Sequence, residues 1–109
     1  MMKLKFRIWS PMHELFWYIK IGDQFDFKAT DVIEQYTGLK DKNNQEICEG
    51  DIVNVPPYRT ISFNYPQERL KVIYDNDRFR LSGVADFAWY ELEIIGNIHE
   101  NNDLIDEEG

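Results

Sequence analysis

The chain has 109 residues, 43% of them apolar and 15% aromatic, enough for one domain with its own core and too few for two. The formal net charge is −8, and the longest unbroken apolar run is Leu15–Ile19, too short to cross a bilayer as a helix. Cys48 is the sole cysteine, which excludes an intrachain disulfide and a cysteine-built metal site. The charged start carries no apolar stretch of leader length, so a soluble, reducing, cytoplasmic setting is expected.

Period-two alternation sets the elements in chain order. In Lys3–Trp9, Leu4, Phe6 and Ile8 point one way and Lys3, Lys5 and Arg7 the other, the pattern of a half-buried strand. Leu15–Ile21 alternates again, and a Ser10–Glu14 loop makes the two a hairpin. Leu15, Trp17 and Ile19 share one face, and Trp17 is assigned to the core. Phe16 and Tyr18 fall on the opposite face, where an exposed aromatic pair would mark a protein interface. Residues 30–36 fit either a short helix capped by Thr30 or a strand. Asp41–Asn44 is turn chemistry, so a tight hairpin is expected between Leu39-Lys40 and Gln45–Cys48. Glu49-Gly50-Asp51 turns the chain into strand Ile52–Val55, which Pro56-Pro57 ends. Further strands are expected over Tyr58–Asn64, Arg69–Tyr74 and Phe79–Leu81, and one or two within Phe87–Ile98, with Gly96 as a bulge or turn. The fold class is mainly β, at most β-rich α+β: a small antiparallel barrel-like or sandwich domain over residues 1–99, with one short helix possible at 30–36. Residues 100–109 read as an acidic, frayed tail.

The charge is unevenly placed. Residues 1–83 balance, whereas 84–109 hold eight acids and no Lys or Arg, among them Asp86, Glu91, Glu93 and Glu100. Such a balance opposes general binding to phosphate backbones. Glu46, Glu49 and Asp51, with Asp41 across the hairpin, could in principle run acid–base chemistry or hold a hard cation. The better reading makes Asp51 a turn residue and Glu49 a solvated one. His13 and His99 lack metal-site spacing, and Cys48 between Ile47 and Glu49 reads as a buried, inert thiol. No catalytic residue, metal or cofactor is therefore expected.

Three stretches together resemble the YopX family, small proteins of Gram-positive bacteria and their phages. Lys5-Phe6-Arg7-Ile8-Trp9 is similar to the family's opening, Gln35–Asn43 with Glu46–Val53 to its central motif, and Ile94–Asn101 to its closing one. Asn44, Cys48 and His99 replace a turn glycine, an aromatic and a tyrosine. The resemblance implies a β-rich fold and a mobile-element origin, and carries over no catalytic residue. Within the central motif Gly38, Leu39, Asp41, Glu49, Gly50 and Asp51 read as scaffold, Leu39 pairing with Ile47 across the hairpin.

The expected function is that of a non-enzymatic phage or prophage accessory protein binding a protein partner, host or self, with a homo-oligomer as one form. Its interaction residues would be Phe16, Tyr18, Asp86, Glu91, Glu93 and Glu100, and one specific form inhibits a host nucleic-acid-binding protein through the acidic surface. The alternatives are a small nucleic-acid-binding barrel using Lys3, Lys5, Arg7, Arg78 and Arg80, and a small metal-dependent hydrolase using Asp41, Glu49 or Asp51.

Overall fold

The structure, a computed structural model, describes residues 5–20, 22–24, 26–59, 61–62, 64–75, 78–82 and 88–105. The alternating segments become β1 (Lys5–Ser10), β2 (Leu15–Lys20), β3 (Val32–Lys40), β4 (Glu46–Cys48), β5 (Asp51–Val55), β6 (Tyr58–Arg59), β7 (Asn64–Tyr65), β8 (Glu68–Asp75), β9 (Arg78–Leu81) and β10 (Glu93–Asn97). Two four-stranded antiparallel sheets result, ordered β2-β1-β3-β4 and β10-β5-β8-β9, with β6-β7 as a separate ribbon. The mainly-β expectation holds in its sandwich-like form, and among the described residues no sheet closes into a barrel.

Residues 32–40 are strand, not helix. Val32–Gln35 pair with Trp9–Phe6 of β1, and this pairing overrides the local helix-start signal at Thr30-Asp31. The stretch expected as one strand over Tyr58–Asn64 is instead two short strands folded on each other, Tyr58 opposite Tyr65 and Arg59 opposite Asn64. The β10–β5 register slips between Ile94 and Gly96, the bulge expected there. Beyond β10 the Asn101 side chain accepts the Asn97 N–H at 3.1 Å and Asn102–Leu104 form a single 3-10 turn, so the stretch expected as a loose tail carries structure as far as Ile105.

The hairpin between β3 and β4 follows its turn residues. Asn44 occupies the left-handed region at φ 65°, as an Asn can. Gly38, at φ 83°, accompanies a slip of register between Tyr36↔Cys48 and Lys40↔Glu46. The Thr37 hydroxyl fills the gap, donating to the Ile47 carbonyl at 2.9 Å and accepting the Leu39 N–H at 3.0 Å. Leu39 stays exposed while Ile47 is fully buried. Ile47 joins Val53, Val55, Val72, Leu81 and Leu92 in the principal core, with Leu70, Trp89 and Ile94 packed around it. Ile47 is thus the first sheet's contribution to a core otherwise built by the second sheet and the segment preceding β10.

Asp41 fastens this turn to the second sheet. Its Oδ1 accepts the N–H groups of Asn43 and Gln45, and its Oδ2 that of Ile94, each at 2.9 Å, while Lys42 N–H donates to the Leu92 carbonyl. Burial acts to raise the Asp41 pKa, but these backbone donors prevail and hold it below the ordinary carboxylate range. A lowered folded-state pKa means stability present above the unfolded value and lost as pH falls through the folded one. We expect Asp41→Asn to cost about 1–3 kcal/mol at neutral pH, because an amide cannot accept all three N–H groups with a full charge. The gap to the unsubstituted protein should narrow below about pH 4; urea unfolding at neutral and acid pH checks both.

Candidate functional site

Both faces of β1 are buried over Arg7–Ser10, the polar face included. Arg7 opposes Glu34 in the β1–β3 register, and both turn inward, 6% and 4% exposed. Arg7 Nε donates to Glu34 Oε1 at 2.9 Å, Nη1 to Asp51 Oδ1 at 2.6 Å, and Nη2 to the Glu49 carbonyl at 3.0 Å. Asp51, 3% exposed, accepts the Cys48 N–H on its other oxygen at 2.8 Å. Glu34 Oε2 meets His99 Nε2 at 3.0 Å. One guanidinium therefore joins β1, β3, the β4–β5 turn and, through Glu34, the segment after β10.

Aromatic rings roof the cluster. His99 stacks on Trp9 at 5.1 Å with 12° between planes and takes the edge of Phe16 at 5.8 Å, while the Arg7 guanidinium lies 4.7 Å over the Phe16 ring. Gly50 makes the close approach possible. It sits at φ +87°, and a Cβ there would run into the Glu34 carboxylate. Its N–H donates to the Val72 carbonyl at 2.8 Å and its carbonyl accepts the Ile98 N–H at 2.9 Å, so the crossing between sheets is bonded on both sides.

Burial pulls the Arg7 pKa down, but Asp51 and Glu34 outweigh it and hold the guanidinium firmly charged. Burial pushes the Asp51 carboxyl above its ordinary value, with Arg7 and the Cys48 N–H pulling the other way. Its linkage sign is opposite to that of Asp41: taken alone, this group loses stability as pH rises through the window above the ordinary value. Burial also pushes the Cys48 thiol well up, away from the reactive thiolate. The cluster's donors and acceptors face one another, and among the described residues no buried side-chain nitrogen or oxygen lacks a partner.

Several expected site residues land elsewhere. Phe16 is half-buried against Trp9, His99 and Arg7, so the exposed Phe16–Tyr18 pair is not formed. The exposed rings of β2 are Tyr18 (67%) and Trp17 (45%); Trp17, expected in the core, is exposed although its register partner Ile8 is fully buried. Neither face of β2 is uniformly inward: Tyr18 is exposed on the Arg7 face, and Trp17 is exposed on the face where Ile8 is fully buried and Ile19 half-buried. Glu91 and Glu100 are exposed, Glu93 is half-buried beside Lys42 at 3.7 Å, and Asp86 lies outside the described residues. The hydrolase set is not assembled: Asp41 is bound to its turn, Asp51 to Arg7, and Glu49 accepts the Gln35 N–H at 3.3 Å. The nucleic-acid set is also dispersed. Arg7 is internal, Lys5 is paired with Glu46 at 2.7 Å, Arg80 with Asp75 at 2.7 Å, and Lys3 lies outside the described residues. The Arg7–Glu34–Asp51–His99 cluster was missed by reading the sequence, although Trp9 sharing the phase of Arg7 signals that this face is not simply solvated.

Two antiparallel sheets joined through an internal charge cluster define an all-β protein whose three sequence motifs meet at one point: Arg7 from the first, Glu49–Asp51 from the second and His99 from the third. The YopX family profile, described as YopX protein, matches residues 5–106, and the chain belongs to that family. The crystal structure of protein EF1440 from Enterococcus faecalis is similar at a TM-score of 0.69 and 24% identity, covering 94% of this chain and 98% of that one, a likeness of fold. No curated protein matches the sequence.

Removing one member of a buried ion cluster leaves the others uncompensated. Arg7→Met should cost about 3–5 kcal/mol. Gly50→Ala should also destabilise strongly, because it adds a left-handed-region penalty to a collision with Glu34. Glu49→Gln, which keeps the carbonyl contact to Arg7 and an acceptor for Gln35, should cost less than about 1 kcal/mol. Denaturant unfolding of the three variants checks this order.

Proposed function

We propose that this YopX-family protein acts without catalysis, as a phage or prophage accessory protein in the bacterial cytoplasm that binds another protein. The observation carrying this reading is the charge distribution: every Lys and Arg lies in residues 1–83, while the last quarter holds acids alone. Of those acids Glu91, Glu100 and Asp103 are exposed. Such a segment draws a basic partner by long-range attraction. In its specific form, the partner is a host nucleic-acid-binding protein whose basic groove the acidic surface occupies, so that the protein inhibits it. The internal satisfaction of the Arg7 cluster supports the non-catalytic part, since its charged groups are engaged in holding the sheets.

The test is affinity capture from bacterial lysate at low and high salt, with the chain and with a Glu91→Gln, Glu100→Gln, Asp103→Asn variant. We expect a basic protein to be retained at low salt, lost at high salt and weakened several-fold by the variant. Retention indifferent to both salt and neutralisation overturns the acidic-surface reading. Competition of the retained protein with single-stranded DNA checks the inhibitory form, and direct binding of that DNA by this chain would favour the nucleic-acid alternative.

A further inference from the structure

The geometry points to a self-association site on the open edge of β2, whose occupant is β2 of a second copy of this chain, running antiparallel. Among the described residues the strand ends its sheet and pairs only with β1. Its first five residues, Leu15–Ile19, are the chain's longest apolar run, on the position where proteins ordinarily place Lys, Pro or a bulge to prevent pairing. This inference uses β2 alone and goes beyond the acidic-partner reading.

The edge has a defined length. Lys20 donates its N–H to Asp23 Oδ2 and accepts the Asp23 N–H at its carbonyl, both at 3.0 Å, so its backbone groups point away from β1 and are already closed off. In an antiparallel strand every second residue points the same way. The backbone groups of Phe16 and Tyr18 therefore also point outward, while those of Leu15, Trp17 and Ile19 face β1. Among the described residues nothing bonds the outward N–H and carbonyl of Phe16 or Tyr18. At the other end the Glu14 N–H is taken by the Ser10 carbonyl at 2.7 Å.

These open groups are self-complementary. A two-fold axis at Trp17 sets Phe16 of each copy opposite Tyr18 of the other, and the two residues exchange both backbone hydrogen bonds. Sliding by two residues in either direction sets an open residue against the engaged Lys20 or Glu14, so this register alone matches every open group with another. The same register brings Glu14 against Lys20 of the second copy, opposite charges at both ends of the ladder, and Leu15 against Ile19. The two first sheets then become one continuous sheet.

Sedimentation velocity over a concentration series, with hydrogen exchange at the Phe16 and Tyr18 amides, tests this. The chain should dimerise, and both amides should gain protection as dimer forms. Tyr18→Pro removes an outward N–H without touching the β1 ladder and should give monomer. Glu14→Lys places like charges at both ends and should weaken the dimer by about tenfold, while Glu14→Lys with Lys20→Glu should restore it. The two charge variants carry exposed substitutions, so they decide the matter even where Tyr18→Pro fails to fold. A monomer at every concentration, including one that pairs only with an added foreign strand, overturns the proposal, as does a dimer unaffected by Glu14→Lys.

Discussion

The Arg7 guanidinium is the constraint around which the two sheets are arranged. A planar cation with several fixed donors can reach a neighbouring strand, a turn and a carbonyl at once, and here it does so: Glu34 on β3, Asp51 at the head of β5 and the Glu49 carbonyl between them. Two buried carboxylates without it would be strongly unfavourable, as would the cation without them. The consequence is geometric. β1 and β3 are held in one register, and the chain can leave the first sheet for the second only where Gly50 lets the backbone pass against the Glu34 carboxylate.

A charge cluster confers geometric selectivity more than net stability, since desolvation offsets much of the Coulombic gain. The apolar energy comes from elsewhere, from the Ile47, Val53, Val55, Val72, Leu81 and Leu92 core that lies mostly on the second sheet. A second fastening complements the first. Asp41 draws three backbone N–H groups from its own turn and from β10, tying the end of the β3–β4 hairpin to the opposite sheet's edge strand. Arg7 thus sets how the sheets meet, Asp41 closes them at the hairpin end, and the aliphatic core supplies the driving force.

Local pattern made the strands and turns legible. The β1–β2 hairpin, the Asp41–Asn44 turn, the turn at Gly50 and the irregularity at Gly96 were all readable because each rests on residues close in sequence. The inward face was not readable in the same way. Alternation says that Phe16 and Trp17 point oppositely, and it is silent on which points in, because that depends on Arg7 meeting Glu34 and Asp51, 27 and 44 residues away. The ordinary assumption that a Lys/Arg face is solvated therefore missed the burial of Arg7, which accompanies that of Ile8 on the other face. Residues 30–36 stayed open between helix and strand for a related reason: a cap-like Thr30-Asp31 is local information, and pairing with β1 is not. The split of β6 and β7 was invisible because two-residue strands carry no period.

Placing the inward-facing charges in mutual contact has a further effect on the exterior. Arg7 bonds Glu34 and Asp51, and Glu34 meets His99, so on the face that gathers Trp9 and Phe16 these groups find their partners within the chain. What the molecule offers to its surroundings is then what the cluster leaves over: the apolar rim of β2 at one end of the first sheet, and the base-free stretch that includes β10 at one end of the second. These two features are carried on different sheets and rest on different physics, one on short-range backbone pairing and the other on screened long-range charge. Salt therefore separates them: raising it weakens attraction to the acids while leaving hydrogen-bonded strand pairing and apolar contact largely intact. Each outer feature is also tied to the Arg7 junction by one ring, Phe16 of β2 beneath the guanidinium and His99 of the base-free stretch on Glu34.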